Sequence, residues 1–196
     1  MAVAILAGGA SRRMGRDKAL LPWRAGTLLE AMLAIARRAG ADALAIAGPA
    51  ARYGRFGVPC IEDHWPGRGP LAAIAGALES LPGERLFVLG CDMPFVPPRL
   101  LQWLWTLDAP AGAWVVPAPE PGRLEPLCAI YARALLPVIQ AALEAETLKI
   151  DRALAAAPRR VVRAEELTAA GFGREAFRNL NHPRDYEVSL MSPTPV

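Results

Sequence analysis

The chain has 196 residues, 53% of them hydrophobic and 21% charged, enough for one substantial core and short for two. Lys and Arg outnumber Asp and Glu by 22 to 19, and this net charge of +3 is too small and too dispersed for a general nucleic-acid surface. No apolar run approaches the ~20 residues of a membrane helix, and the apolar start lacks the basic region of a secretory signal, so a cytoplasmic protein with no membrane partner is expected.

The first element is the apolar run AVAILA (2–7), whose continuous hydrophobicity suits a strand covered on both faces. LAGGASRRMGRDK (6–18) follows it, with Gly8, Gly9 and Gly15 among Arg12, Arg13, Arg16 and Lys18. Backbone N–H groups exposed by glycine and a cluster of cations both favour an anion, so this segment reads as a phosphate-binding loop. The spacing is not that of a Walker loop, and a solvated basic turn is the plainer alternative.

TLLEAMLAIARRAG (27–40) has helical periodicity, a capping box in Thr27 and Glu30, and a stop at Gly40. Two apolar runs, ALAIAG (43–48) and VPCIED (58–63), read as further strands. GRGPLA (67–72) matches a dinucleotide fingerprint by letter. It does not directly follow a strand, however, and Pro70 removes an N–H donor, so it is expected as a glycine turn feeding a helix over 70–83. RLFVLGCD (85–92) is a fourth strand and PPRLLQWLWTL (97–107) another helix opened by proline.

The second half is less regular. AWVVPAPE (113–120) and PLCAIYA (126–132) flank a Pro/Gly turn and suit a hairpin, with helical stretches near 133–145 and 149–156 and a weak strand at 159–163. The β-α-β-α order predicts an α/β fold: a single domain over 1–190 built on a mostly parallel, doubly wound (Rossmann-like) sheet with helices on both faces. SPTPV (192–196) lies in the expected frayed tail, 191–196. Cys60, Cys91 and Cys128 have no CxxC spacing and read as small buried hydrophobes, while His64 and His182 fall outside any zinc spacing.

Ligands of open α/β sheets bind beyond the carboxyl ends of the strands, where four unusual stretches converge in this reading. They are the glycine-arginine loop, EDHWPGRGP after the third strand, GCDMP after the fourth, and NLNHP (179–183). Asp92 in GCDMP is either a turn former or, facing a triphosphate, a Mg²⁺ ligand, a job it could share with Asn181 or Asp63. Asn179 and Asn181 are equally readable as capping residues ahead of Pro183.

Together LAGGASRRMGRDK, IED with the following GPLA, CDMP, EPLCAIY and NLNHP resemble the nucleotidyltransferases, and most closely the molybdenum cofactor guanylyltransferase family. The resemblance implies transfer of GMP from GTP to the terminal phosphate of molybdopterin or molybdenum cofactor. It also implies Mg²⁺ as cofactor, and cofactor-insertion proteins and molybdoenzymes as further partners. By that analogy Leu6, Ala7, Gly8 and Gly9 border the nucleotide, Lys18 and Arg13 supply charge to its phosphates, and Asp63 contacts the nucleoside. Asp92 and Asn181 would hold the metal. Glycine at position 9 matches the guanine-using LAGG form, whereas cytidine-using relatives resemble LAAG. One departure is Ala47, where the family can carry an asparagine that contacts GTP. The competing readings are a molybdopterin cytidylyltransferase, a sugar-phosphate nucleotidyltransferase and a nucleotide-binding regulatory module.

Overall fold

A computed structural model describes residues 1–7, 17–180 and 186. In chain order the first elements are β1 (Ala2–Leu6), the short pair β2 (Pro22–Trp23) and β3 (Gly26–Thr27), α1 (Leu28–Arg38) and β4 (Ala43–Ala47). Next come α2 (Ala50–Tyr53), β5 (Cys60–Ile61), α3 (Pro70–Ser80), β6 (Arg85–Gly90) and α4 (Pro98–Thr106). The chain continues through β7 (Trp114–Ala118), β8 (Cys128–Ala132), α5 (Leu136–Glu144), α6 (Ile150–Ala153), β9 (Arg159–Arg163) and α7 (Ala164–Ala169).

Among the described residues seven strands form one sheet in the order β5-β4-β1-β6-β8-β7-β9, and β2 and β3 pair separately. Strands β5, β4, β1 and β6 run parallel, as do β7 and β9, while β8 runs antiparallel to both its neighbours. The hairpin expected over 113–132 is present, with Trp114 opposite Tyr131. Its second strand is inserted between β6 and β7, so the sheet is mostly parallel, as expected, with β8 as its antiparallel strand. VPCIED contributes only two residues of strand, and RLFVLGCD leaves the sheet after Gly90.

Alternation along β1 shows why the apolar runs are continuous. Ala2, Ala4 and Leu6 face one core with Leu71, Ile74 and Leu78 of α3 and Ile139 and Leu143 of α5. Val3 and Ile5 face the other, with Leu29, Met32 and Leu33 of α1 and Leu100, Leu101 and Leu104 of α4. Both faces are dry, so no polar residue interrupts the strand pattern. The alanines of β1 and β4 leave room for α3, itself alanine-rich, to approach the sheet closely.

Local chemistry sets the ends of the helices. Thr27 Oγ1 accepts from Glu30 N at 3.2 Å while Glu30 Oε2 accepts from Thr27 N at 2.7 Å, the reciprocal capping expected from the sequence. The helix ends ahead of Gly40, at φ +86°. GRGPLA is a turn: Gly69 adopts φ +70° and Pro70 opens α3. Among the described residues no helix is long and apolar enough to cross a membrane. The tail assigned to 191–196 lies outside the described residues.

Candidate active site

From β1 the chain goes first to β4 and β5 on one side, then returns as β6 on the other. Neighbouring strands therefore leave the sheet in opposite connective directions at β1 and β6, which opens a crevice beyond their carboxyl ends. The residues at that crevice are Leu6 and Ala7 from β1, Cys91 and Asp92 after β6, and Ala47 at the end of β4. Backbone hydrogen bonds fix all three ends: Cys91 N donates to Leu6 O at 3.1 Å and Ala7 N donates to Ala47 O at 3.1 Å.

Lys18 and Asp92 meet in the same place. Lys18 Nζ donates to Asp92 Oδ2 at 2.9 Å, with their side chains 15% and 20% exposed. A cation and a carboxylate paired at a strand-end crevice, partly out of water, can separate to serve an anion and a metal respectively. Asp92 is held from its other side, where its carbonyl accepts from Leu180 N at 2.9 Å. Gly90 leaves the carboxylate its space: a Cβ there would lie 2.9 Å from Asp92 Oδ1.

Lys18 begins a short 3-10 turn, Lys18–Leu20, capped by Asp17, whose Oδ1 accepts from Ala19 N at 3.1 Å. Asp17 Oδ2 also receives the Tyr53 hydroxyl at 2.8 Å and Arg52 Nη1 at 3.1 Å. Sequence reasoning missed this group, because a lone tyrosine in ARYGRFG carries no motif. The nearest sequence signal was Asp17 directly before Lys18.

Asp63 lies beyond β5, at the far side of the parallel half-sheet. It is exposed, and its Oδ1 accepts from Trp65 N at 2.8 Å in a tight turn. Its neighbour Glu62 instead reaches Ala50 N at 2.7 Å, at the start of α2. Ala47 is 3% exposed and presents only a methyl group. Gly8, Gly9, Arg12, Arg13, Gly15, Arg16, Asn181 and His182 lie outside the described residues.

On the other side of Asp92, beyond β7, a cleft of about 220 Å³ is lined by residues including Arg123, Glu125, Arg174, Arg178 and Asn179. Glu125 is buried, and desolvation raises its pKa; Arg123 and Asn179 oppose that shift. Arg123 Nε lies 3.1 Å from Glu125 Oε1. Asn179, readable from the sequence as a cap, lies beside the Glu125 side chain, and its buried Oδ1 has no partner among the described residues.

Among the described residues no group of three or more His, Cys, Asp or Glu side chains converges on a metal position. Asp92 alone still suits Mg²⁺, which is commonly held by one or two carboxylates while substrate phosphates and water complete its octahedron.

The sequence model of the MobA-like NTP transferase domain matches residues 3–165. A probable molybdenum cofactor guanylyltransferase of Carboxydothermus hydrogenoformans is 32% identical over 190 residues, covering 97% of this chain and 95% of that relative. The crystal structure of molybdopterin-guanine dinucleotide biosynthesis protein A from Archaeoglobus fulgidus superposes with a TM-score of 0.80 at 25% identity, covering 97% of each chain. A 2-C-methyl-D-erythritol 4-phosphate cytidylyltransferase from Thermus thermophilus shares the fold, with a TM-score of 0.71 at 22% identity and 97% of each chain covered.

Proposed function

The chain belongs to the MobA-like NTP transferase domain family, and from that premise we infer that it transfers GMP from GTP to the terminal phosphate of molybdopterin or molybdenum cofactor. The observation that carries this reading is the Lys18–Asp92 pair, 2.9 Å apart at the crevice between β1 and β6. The names of its relatives support guanine and molybdopterin as the substrates.

The reaction needs no protein nucleophile. An oxygen of the acceptor phosphate forms a bond to the α-phosphorus of GTP while the bond to the β-phosphate oxygen breaks, and the electron pair leaves with pyrophosphate. The obstacles are repulsion between two anions and the charge that builds on the leaving group, so catalysis comes from positioning and electrostatics.

Lys18 answers the second obstacle, since its ammonium can follow charge onto the pyrophosphate as it gives up Asp92. Asp92, with Asn181 from the sequence reading, would hold Mg²⁺, which when bound supplies positive charge to the phosphate oxygens. The backbone at Leu6 and Ala7 borders the nucleotide, with Gly8, Gly9 and Arg13 completing the binding surface by analogy and Asp63 reaching the nucleoside from β5. Ala47 makes no side-chain hydrogen bond to the base, so recognition at that point falls to the backbone. The cleft beyond β7 holds Arg123, Arg174 and Arg178, but Glu120, Glu125 and Glu175 line it too and pair with them, so an acceptor phosphate would reach those donors only by displacing the carboxylates. Cofactor-insertion proteins and molybdoenzymes would receive the product.

The test is pyrophosphate release from each of GTP, CTP, ATP and UTP, with and without molybdopterin and with and without Mg²⁺. Release is expected with GTP when acceptor and metal are both present. Preference for CTP, or turnover that ignores the acceptor, overturns the reading.

A further inference from the structure

Tyr53 is fully buried at the end of α2, and its hydroxyl is the point where two distant parts of the site meet. The hydroxyl oxygen lies 2.8 Å from Ala7 O and 2.8 Å from Asp17 Oδ2. Ala7 and Asp17 are the described residues flanking 8–16, so one side chain spans the entry and the exit of the glycine-arginine segment. One O–H proton faces two acceptors, and only a neutral phenol can serve them. Burial, followed by the contact with Asp17, raises the Tyr53 pKa and preserves that form.

The packing alone does not require an oxygen. A phenylalanine ring would fill the same buried space, whereas a buried hydroxyl costs desolvation unless its hydrogen bonds repay it. The two acceptors that share the Tyr53 proton both lie at the mouth of the crevice. The Asp17 carboxylate that it holds is also the cap of the 3-10 turn carrying Lys18, and Lys18 is bound in turn to Asp92. Arg52 approaches the same carboxylate, but its side chain is 53% exposed and the pair is screened by water. The buried anchor is therefore Tyr53.

We propose that Tyr53, acting through Asp17, is a positioning residue for nucleotidyl transfer: its hydroxyl ties the carboxyl end of β1 to the turn that presents Lys18 to the triphosphate. This rests on the reading of Lys18 and Asp92 as the phosphate and metal residues. The role is indirect, because Tyr53 touches neither substrate nor metal.

The test compares Tyr53→Phe, Asp17→Asn and their double variant with Ile139→Val, a conservative trim of a buried side chain on α5 far from the crevice. For each, the measurements are Tm, equilibrium GTP affinity, and kcat and KM for GTP and acceptor. Misplacing a reacting group by about an ångström can cost up to about a hundredfold, so Tyr53→Phe is expected to lower kcat/KM for GTP by roughly ten- to a hundredfold. The acceptor KM should stay unchanged. The double variant should be no worse than the poorer single one, since both break one chain of contacts. A Tyr53→Phe enzyme with wild-type kcat/KM overturns the proposal, as does an equal loss in Ile139→Val at the same fall in Tm. If Tyr53→Phe does not fold, Asp17→Asn carries the comparison by the same criteria. Failure of the wild type to release pyrophosphate from GTP would instead remove the functional reading itself.

Discussion

Lys18 and Asp92 satisfy each other at 2.9 Å, so each is partly defined by the loss of its partner. Removing either takes an ion-pair partner from the other in a part-buried place, and the two variants should nevertheless fail differently. Lys18→Ala is expected to reduce kcat/KM for GTP by roughly two to three orders of magnitude, the range for one oriented electrostatic group. Additional Mg²⁺ should not restore it. Asp92→Ala should lose nearly all turnover while remaining folded, because the metal's protein anchor is gone. Steady-state kinetics across a Mg²⁺ titration, with circular dichroism for the fold, separates the two, and near-normal rates for Asp92→Ala at saturating Mg²⁺ and GTP would refute its assignment. That the two would lie near one another was legible in the sequence, because a strand-end Asp and a Lys closing the stretch after the first strand both fall at the carboxyl ends of neighbouring strands. Tyr53 was not. Its contact with Asp17 spans 36 positions and depends on where α2 lands beside β1, which no local pattern announces.

Strand β6 shows how an element can be shaped by the residue beyond its end. Gly90 has no positive φ to explain it; it is needed for space, since a Cβ would lie 2.9 Å from Asp92 Oδ1 and 3.4 Å from Leu127 Cβ. Gly90→Ala must therefore push the carboxylate aside or shift the 127 loop, whose carbonyl accepts from Gly90 N at 2.7 Å. Overpacking of this kind typically costs about 1–3 kcal/mol of stability, but the displaced atom is the proposed metal ligand. The expected outcome is a modest drop in Tm with a kcat/KM reduced roughly tenfold or more, since small misplacements of reacting groups are costly, and a raised Mg²⁺ requirement. A fall in Tm with unaltered Mg²⁺ dependence would show that Gly90 serves packing alone. The other elements were readable to different degrees. Thr27 and Glu30 fixed the start of α1, and Pro70 that of α3, because capping is local. The two-residue β5 and the β6-β8-β7 order were not readable. A strand buried on both faces shows the same apolar run whether its neighbour is parallel or antiparallel, and which strand lies beside it is decided by the whole sheet.

For the molecule as a whole, helices on both faces make the sheet dry, and a dry interior disfavours any group that ionises within it. Cys128 and Tyr131 of β8 and Tyr53 of α2 are buried, and burial raises the pKa of each. Cys91 packs against the core on the α1 face, and desolvation first, then the charge of Asp92, pushes its thiol up to about 12. Cys60, nearer the surface at the sheet edge, is raised by the same causes in smaller surroundings, with Glu62 as the neighbouring charge. These groups are acids that are neutral when folded and titrate at lower pH when unfolded, near 8.5 for a thiol and near 10 for a phenol. Their contribution to stability is therefore fully present below about pH 8.5 and is lost as pH rises toward the folded values. Each thiol held neutral removes up to about 1.4 kcal/mol of stability per pH unit above that threshold. Since a domain has only about 5–15 kcal/mol in total, two such thiols and two phenols are enough to bring unfolding within reach near pH 11. Urea midpoints should accordingly be flat between pH 7 and 8 with respect to these groups and fall progressively from about pH 9. Cys128→Ala, which removes one of the titrating acids, should flatten that descent while lowering the plateau. Thiol labelling at pH 8 should modify Cys60 in the native protein and reach Cys128 only after unfolding. A urea midpoint that holds steady through pH 10.5, or native-state labelling of Cys128 as fast as Cys60, would mean that the interior between the helical layers is open to water.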